Sequence, residues 1–362
     1  MSVAILGLGV ATPTHSIRQD DAAELAKALC CETTQQATIL PALYRRSGVE
    51  RRGSVLLDDA GNGGCAQHFF PPPSRRRHGP TTRQRMARYA KEAPVLAIGA
   101  TQAALRESRF APGRIRQIVT VSCTGLMAPG IDLALIRAFG FSPSVGRTHI
   151  GFMGCHGALN GLRIGSALAS QAANTGVLMC AVELCSLHFH YGWEPERMVA
   201  NALFADGAAA LVLADGVTTR RNVWRVLASG SCLFPESESD MTWTVGNHGF
   251  TMTLSARVPG LIIRHLRPWL DDWLAEFGLR RDAIRAWAVH PGGPRILQAV
   301  STSLELPADA LAVSKQVLAE HGNMSSPTAL FILDRLRQAG LPRPCVVLGF
   351  GPGLVVEAAL LA

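Results

Sequence analysis

Two stretches of this chain follow one plan. IRQIVTVSCTG at 115–125 and IRAWAVHPGG at 284–293 each open on Ile-Arg, run into a short apolar segment and break at glycine. An apolar run of four to eight residues closed by a turn reads as a strand buried on both faces. Such a strand requires helices on both sides of its sheet. The rest of the chain supplies them. Helical spacing runs over 84–107 (with a proline inside), near 131–138, and over 156–173, 259–277 and 325–339, while 147–154, 177–184, 207–216 and 345–361 read as strands or strand-turn segments. The pattern predicts an α/β protein made of two similar βαβαβαββ halves, 1–219 and 220–362, packed helix over sheet over helix. The segment 53–80, with PPPS and RRRHGP, reads as a loop or partly mobile insertion.

Charge narrows the function classes. The formal net charge of +8 is concentrated: residues 1–120 hold 17 basic and 9 acidic side chains, and the remaining residues balance. Nucleic-acid binders pair such charge with aromatic platforms or a reading motif. Only 6% of residues are aromatic here, and zinc-finger, RRM and basic-zipper spacings are lacking. The arginines fit phosphate oxygens of a small molecule equally well, with a solvated face as the bland alternative. MSVAILGLGVATP lacks a basic stretch before its apolar residues and reads as a first strand. The longest apolar runs fall short of the 18 residues that suggest a span. Nine cysteines, without a CxxC pair and mostly in apolar surroundings, point to reduced thiols and a cytoplasmic protein.

Three polar residues stand at turns of the duplicated plan. Cys155, in IGFMGCHGALNGL, sits at a glycine turn before a long helix, whose N-terminus should favour thiolate. Its alternative reading is a small buried hydrophobe. His290 emerges at the carboxyl end of a strand, where open α/β sheets place ligands, or is a satisfied structural histidine. Asn323, in HGNMSS, is either an amide donor or the cap of a helix from Ser325. Together they supply a nucleophile, its base or ion-pair partner, and a hydrogen-bond donor.

At these residues a resemblance enters. HPGGP (290–294), GNMSS (322–326), GFGPG (349–353), VPGLI (258–262) and ALFADGAAA (202–210), in this order, resemble the motif set of type III polyketide synthases, the chalcone and stilbene synthase family, over nearly the whole chain. The resemblance implies a thiolase fold of five layers, α-β-α-β-α, a homodimer, and the triad Cys155, His290 and Asn323. It implies that the cysteine, kept as a thiolate by the histidine, takes an acyl starter from coenzyme A, and that His290 and Asn323 hold the malonyl thioester as carbon dioxide leaves. Repeated Claisen condensation and ring closure to a pyrone, resorcinol or phloroglucinol follow, without metal or prosthetic group. The metal reading of His188-Phe189-His190 stays low.

By the same resemblance Phe204, placed in a short helix, is a gate residue, and Met252 stands where a second gate carries phenylalanine. Cys123, Thr124, Cys185, His188 and Trp243 replace small or hydroxylated pocket positions, and Ser325 is retained. Arg46, with Gly292 and Gly293, marks the coenzyme A mouth. Ile39 and Ala42 replace two further cations there, with Arg45, Arg51 and Arg52 as compensation, while Arg75, Arg76 and Arg77 stay solvated. The stretch 241–260 looks bacterial, which leans towards a fatty acyl starter. The rival readings are an initiating β-ketoacyl-carrier-protein synthase and a non-catalytic thiolase-fold protein that binds acyl thioesters.

Overall fold

The computed structural model describes residues 2–61, 64–73, 78–171, 175–215 and 223–362. The chain opens with β1 (Val3–Ala11), β2 (Ser16–Arg18), α1 (Gln19–Cys30), α2 (Thr34–Arg46), β3 (Arg51–Gly53), β4 (Leu57–Asp59), β5 (Cys65–Gln67) and the long α3 (Thr82–Ser108). It continues with β6 (Ile115–Ser122), α4 (Ile131–Phe139), β7 (Gly146–Gly151), α5 (Gly157–Ala169), β8 (Gly176–Leu184), α6 (Pro195–Leu203) and β9 (Asp206–Ala214). The remainder holds β10 (Trp224–Leu233), β11 (Met241–Gly246), β12 (Gly249–Leu254), α7 (Val258–Ala275), β13 (Ala286–Val289), α8 (Pro294–Leu304), α9 (Ala312–His321), α10 (Thr328–Gln338), β14 (Cys345–Gly351) and β15 (Val355–Leu361).

Nine strands form one sheet, in the order β13-β14-β15-β10-β1-β9-β8-β6-β7. The duplication is visible in the pairing. β6 and β8 are parallel and β8, β9 and β1 successively antiparallel. β13 and β14 are likewise parallel, and β14, β15 and β10 successively antiparallel. The first half therefore follows the expected βαβαβαββ plan. The second is one strand short, because among the described residues β7 has no counterpart. The segment between α8 and α10 forms α9 instead, and Ser314 Oγ on α9 accepts the outward Val289 N–H at 3.2 Å. The expected junction near 220 falls in 216–222, outside the described residues.

The half-sheets join at β1 and β10 through only three residue pairs, Val3–Val226, Ala4–Arg225 and Ile5–Trp224. α3 and α4 cover the outer face of the first half, α7 and α8 that of the second, and α5 and α10 lie between them. This gives the five layers. α10 is buried from Thr328 through Leu333, as a helix in the middle layer must be. Of the 53–80 insertion, β4 and β5 form a hairpin, which the reading as a loop missed; 62–63 and 74–77 lie outside the described residues.

β1 and α3 touch backbone to backbone. A Cβ on Gly9 would stand 2.3 Å from both the Ala100 carbonyl oxygen and the Ala104 nitrogen, and one on Gly7 2.2 Å from the Ala104 oxygen. Those obstacles are main chain and cannot rotate away. Gly9→Ala should therefore cost at least about 2 kcal/mol, as overpacked cores do, and lower the thermal midpoint by roughly 4 °C or more. Scanning calorimetry checks this; an unchanged midpoint would show that α3 shifts freely on β1.

Candidate active site

The nucleophile candidate is built by a strained turn. β7 ends at Gly151, Phe152 adopts φ 59°, Gly154 adopts φ 68°, and a single 3₁₀ turn (154–156) feeds α5. Positive φ at an aromatic residue is costly and persists only where surroundings enforce it. Here Gly154 meets the GFGPG loop so closely that a Cβ would lie 2.5 Å from Pro352 Cδ. Gly351 is equally constrained, since a Cβ there would reach 2.3 Å from the His156 ring. These contacts explain the glycines on both sides.

Cys155 is 7% exposed. Its thiol is pushed up to about 12, chiefly by burial, with Glu183 adding to the rise and hydrogen bonds to Ser325 and Asn323 opposing it. This runs against the expectation that the helix N-terminus would favour thiolate: burial disfavours the charged form. Asn323 stands after Gly322, its N–H donating to Leu203 O and its carbonyl accepting from Ala205 N–H, both at 2.9 Å. Its Oδ1 accepts from Ser325 N–H at 2.8 Å, which holds Ser325 at φ 56° and leaves the amide nitrogen as donor. The helix starts later than expected, at Thr328.

His290 follows β13, its N–H donating to Leu348 O at 2.8 Å. The ring is 1% exposed, and neither nitrogen has a hydrogen-bond partner. Two unpaired buried nitrogens are costly. Burial, and secondarily His156, pushes its pKa down to about 3. Burial thus pushes each group, taken alone, towards its neutral form. His156 itself went unread in the sequence. Its Nδ1–H donates to Asn160 Oδ1 at 2.8 Å, Asn160 donates to Glu357 at 2.9 Å, and its Nε2 is buried without a partner. A histidine beside the cysteine, with asparagine one helical turn on, was the available signal.

One cavity collects the expected pocket residues: Cys123, Thr124, Cys185, His188, Phe204, Trp243, Met252 and Ser325 all line it with Cys155. Asn323 reaches the site through its hydrogen bond to Cys155. Both His188 nitrogens are engaged, Nε2–H donating to Thr124 O at 2.7 Å and Nδ1 accepting from Phe250 N–H at 2.9 Å. His190 Nε2 lies 2.9 Å from Phe250 O, so the pair is a backbone brace and not a metal site. Trp243 and Met252 face each other across β11 and β12, and Trp243 Nε1–H donates to Cys123 O at 2.7 Å. Phe204 caps α6 just beyond its last turn, not within it. Ile17, Leu25, Leu29, Leu57 and Phe70 line the same cavity, an apolar lining the sequence reading did not foresee.

The family models of chalcone and stilbene synthases match this chain in both parts, the N-terminal domain over 2–216 and the C-terminal domain over 226–362. The chain belongs to this family. Similar proteins include the alpha-pyrone synthesis polyketide synthase-like Pks18 of Mycobacterium tuberculosis, 32% identical over 99% of this chain and 91% of the relative. The 1,3,6,8-tetrahydroxynaphthalene synthase of Streptomyces peucetius subsp. caesius is 33% identical over 99% and 92%. The crystal structure of PKS-I from the brown alga Ectocarpus siliculosus superposes with a TM-score of 0.93 at 29% identity, covering 99% and 98% of the two chains. The chain is thus a type III polyketide synthase of the bacterial type with the thiolase fold, an acyl-transferring condensing enzyme.

The cations expected at the coenzyme A mouth of the synthase differ in their surroundings. Arg52 Nη1 donates to the carbonyls of Asn201 (2.5 Å) and Phe204 (3.0 Å), and its guanidinium lies over the Tyr44 ring at 5.6 Å. Arg51 donates to Ser16 Oγ at 3.0 Å, and Arg45 lies 3.6 Å from Asp20. Arg52 is thereby committed to backbone, while Arg45 and Arg51 stay exposed. Arg46 is exposed at the end of α2. Gly48, two residues on, lies against Pro294, beside Gly292 and Gly293, so these positions share one neighbourhood. Arg75, Arg76 and Arg77 lie outside the described residues, and among those described no helix is long and apolar enough to cross a membrane.

The raised thiol dictates how free enzyme should titrate. Iodoacetamide labelling of Cys155 should accelerate about tenfold per pH unit between pH 8 and 10, because the thiolate fraction is still rising below a pKa of about 12. Peptide mass spectrometry over a pH series reads it; a rate already level at pH 7 would contradict the raised thiol.

Proposed function

We propose that the synthase loads a fatty acyl group from coenzyme A onto Cys155, extends it with malonyl-coenzyme A and closes the product to a pyrone. One observation carries this reading: the cavity that Cys155 lines is also lined by the apolar side chains of Leu25, Leu29 and Phe70. An alkyl chain is what such a lining takes from water, at about 0.8 kcal/mol per methylene buried. The name of Pks18 as an alpha-pyrone synthase relative is consistent with the product class.

In this reading neutral His290 accepts the thiol proton during loading, and the emerging thiolate is met by Asn323 and Ser325. His290 and Asn323 then hold the malonyl thioester oxygen, where enolate charge develops on decarboxylation. The two unpartnered nitrogens of His290 support a partner that arrives with substrate. Attack of the enolate on the acyl thioester forms the carbon–carbon bond and returns thiolate. The steps use the chain's own side chains, and no metal or prosthetic group enters them. Phe204 and Met252 form the gate, Trp243 closes the pocket on one side, and Arg46 with Gly292 and Gly293 receives the coenzyme A phosphates. A homodimer is proposed along β7, the outer strand of the sheet, with Leu126, just after β6, and Val95, on α3, both exposed (51% and 63%).

Incubation with octanoyl- and malonyl-coenzyme A, without carrier protein, should yield alkylpyrones by liquid chromatography and mass spectrometry. Strict dependence on a carrier protein would overturn the assignment, as would polyketide formation by Cys155→Ala. Arg46→Ala should raise KM for malonyl-coenzyme A about threefold or more with little change in kcat, the pattern of lost ground-state binding. Equal loss in kcat would remove Arg46 from the mouth.

A further inference from the structure

Ser54, Ser186 and Asp206 form a line that begins on the cavity wall and ends on a buried carboxylate. Both serines line the cavity. Ser54 Oγ–H donates to Ser186 Oγ at 2.8 Å, and Ser186 Oγ–H donates to Asp206 Oδ2 at 2.6 Å. Asp206 is 1% exposed and also accepts from Ser186 N–H and Val55 N–H, each at 2.8 Å. Ser54 Oγ accepts from Leu56 N–H at 3.1 Å. A hydroxyl has one proton and two lone pairs. Ser54 has committed the proton to Ser186 and one lone pair to Leu56, so what it offers the cavity is a single acceptor position. A cavity molecule that meets Ser54 must donate, and the proton then has a path to Asp206.

The carboxylate at the end is suited to receive it. Burial pushes Asp206 up to about 6, against the pull of its hydrogen bonds. The groups facing it are the Arg52 guanidinium on β3 and the Cys185 thiol beside Ser186. A chain of hydroxyls in a low-dielectric wall moves a proton without admitting water.

We propose that Ser54, Ser186 and Asp206 are a proton relay for ring closure, taking the enol proton of the Cys155-bound polyketide. The proposal rests on the reading of Cys155 as chain carrier. The enol O–H breaks and its proton passes to Ser54 Oγ; the Ser54 proton passes to Ser186 and the Ser186 proton to Asp206. The enol oxygen bonds to the thioester carbonyl carbon, the carbon–sulfur bond breaks, and its electron pair leaves on Cys155 Sγ. Asp206 ends protonated and Cys155 ends as thiolate, so charge balances. The thiolate is consumed by the next starter, and the coenzyme A thiolate then released takes the proton from Asp206.

The test measures the ratio of pyrone to linear polyketide acid, per coenzyme A released, from octanoyl- and malonyl-coenzyme A. Ser186→Ala and Ser54→Ala should each lower that ratio at least tenfold, and Ser186→Thr, which keeps a hydroxyl, should restore it. In the unmodified enzyme the ratio should fall as pH drops through about 6, where Asp206 is already protonated, and Ser54→Ala should abolish that inflection. Ser54→Ala keeps the test open if Ser186→Ala fails to fold. Unchanged ratios and pH profiles in both alanine variants overturn the relay alone. Unmodified enzyme that releases no coenzyme A overturns the reading of the cavity and the relay with it.

Discussion

The site depends on one buried carboxylate. Glu183, at the end of β8, accepts from the N–H groups of Cys123 (3.0 Å) and Thr124 (3.0 Å), from Thr124 Oγ1 (2.7 Å) and from Ser326 Oγ (2.7 Å). Cys123 and Thr124 follow β6 in the first half of the chain, and Ser326 belongs to the turn of Asn323 in the second. A single side chain therefore ties the two halves where they face each other across the cavity. An unpaired buried carboxylate would cost several kcal/mol; the first half supplies three of these donors and the second half completes the set. Glu183→Ala would leave them unsatisfied together.

How much of this could be read from the residues differs by kind. The duplicated strands were legible because a strand buried on both faces has to be an apolar run, as VLMCAVEL and AWAV are. Cys155, His290 and Asn323 were legible because turns after strands concentrate polar chemistry and the motifs stood in order. The protonation of the site was not. Whether a helix end or desolvation governs Cys155 depends on how much protein closes over it, and burial is a tertiary quantity with no local signal. Glu183 and Asp206 were invisible for the same reason: a carboxylate in an apolar run becomes informative only when its donors arrive from distant segments.

The basic excess of the first third has a similar moral. Arg85 is fully buried, donating to the carbonyls of Pro80, Leu187 and Phe189 at 3.0, 2.7 and 3.0 Å. Arg52 clamps Asn201 and Phe204 in the same way. These guanidiniums fix the irregular segments that form the cavity wall, where backbone carbonyls lack strand partners. Arginine suits this because its planar fork reaches several oxygens at once and is weakly hydrated. Charge counted along a sequence overstates the charge offered to a partner.

The strand missing from the second half bears on how copies of the chain can associate. Sheet edges are templates for self-association. At one end of the sheet, α9 occupies the place of a further strand and Ser314 satisfies the outward N–H of Val289. At the other, β7 carries partly exposed residues along an edge with no strand beside it among the described residues. A subunit with two open edges could propagate into a fibre. With one edge stopped, any strand pairing between identical copies would close after two. Loss of internal symmetry in the duplicated fold thus leaves the two ends of the sheet chemically unlike.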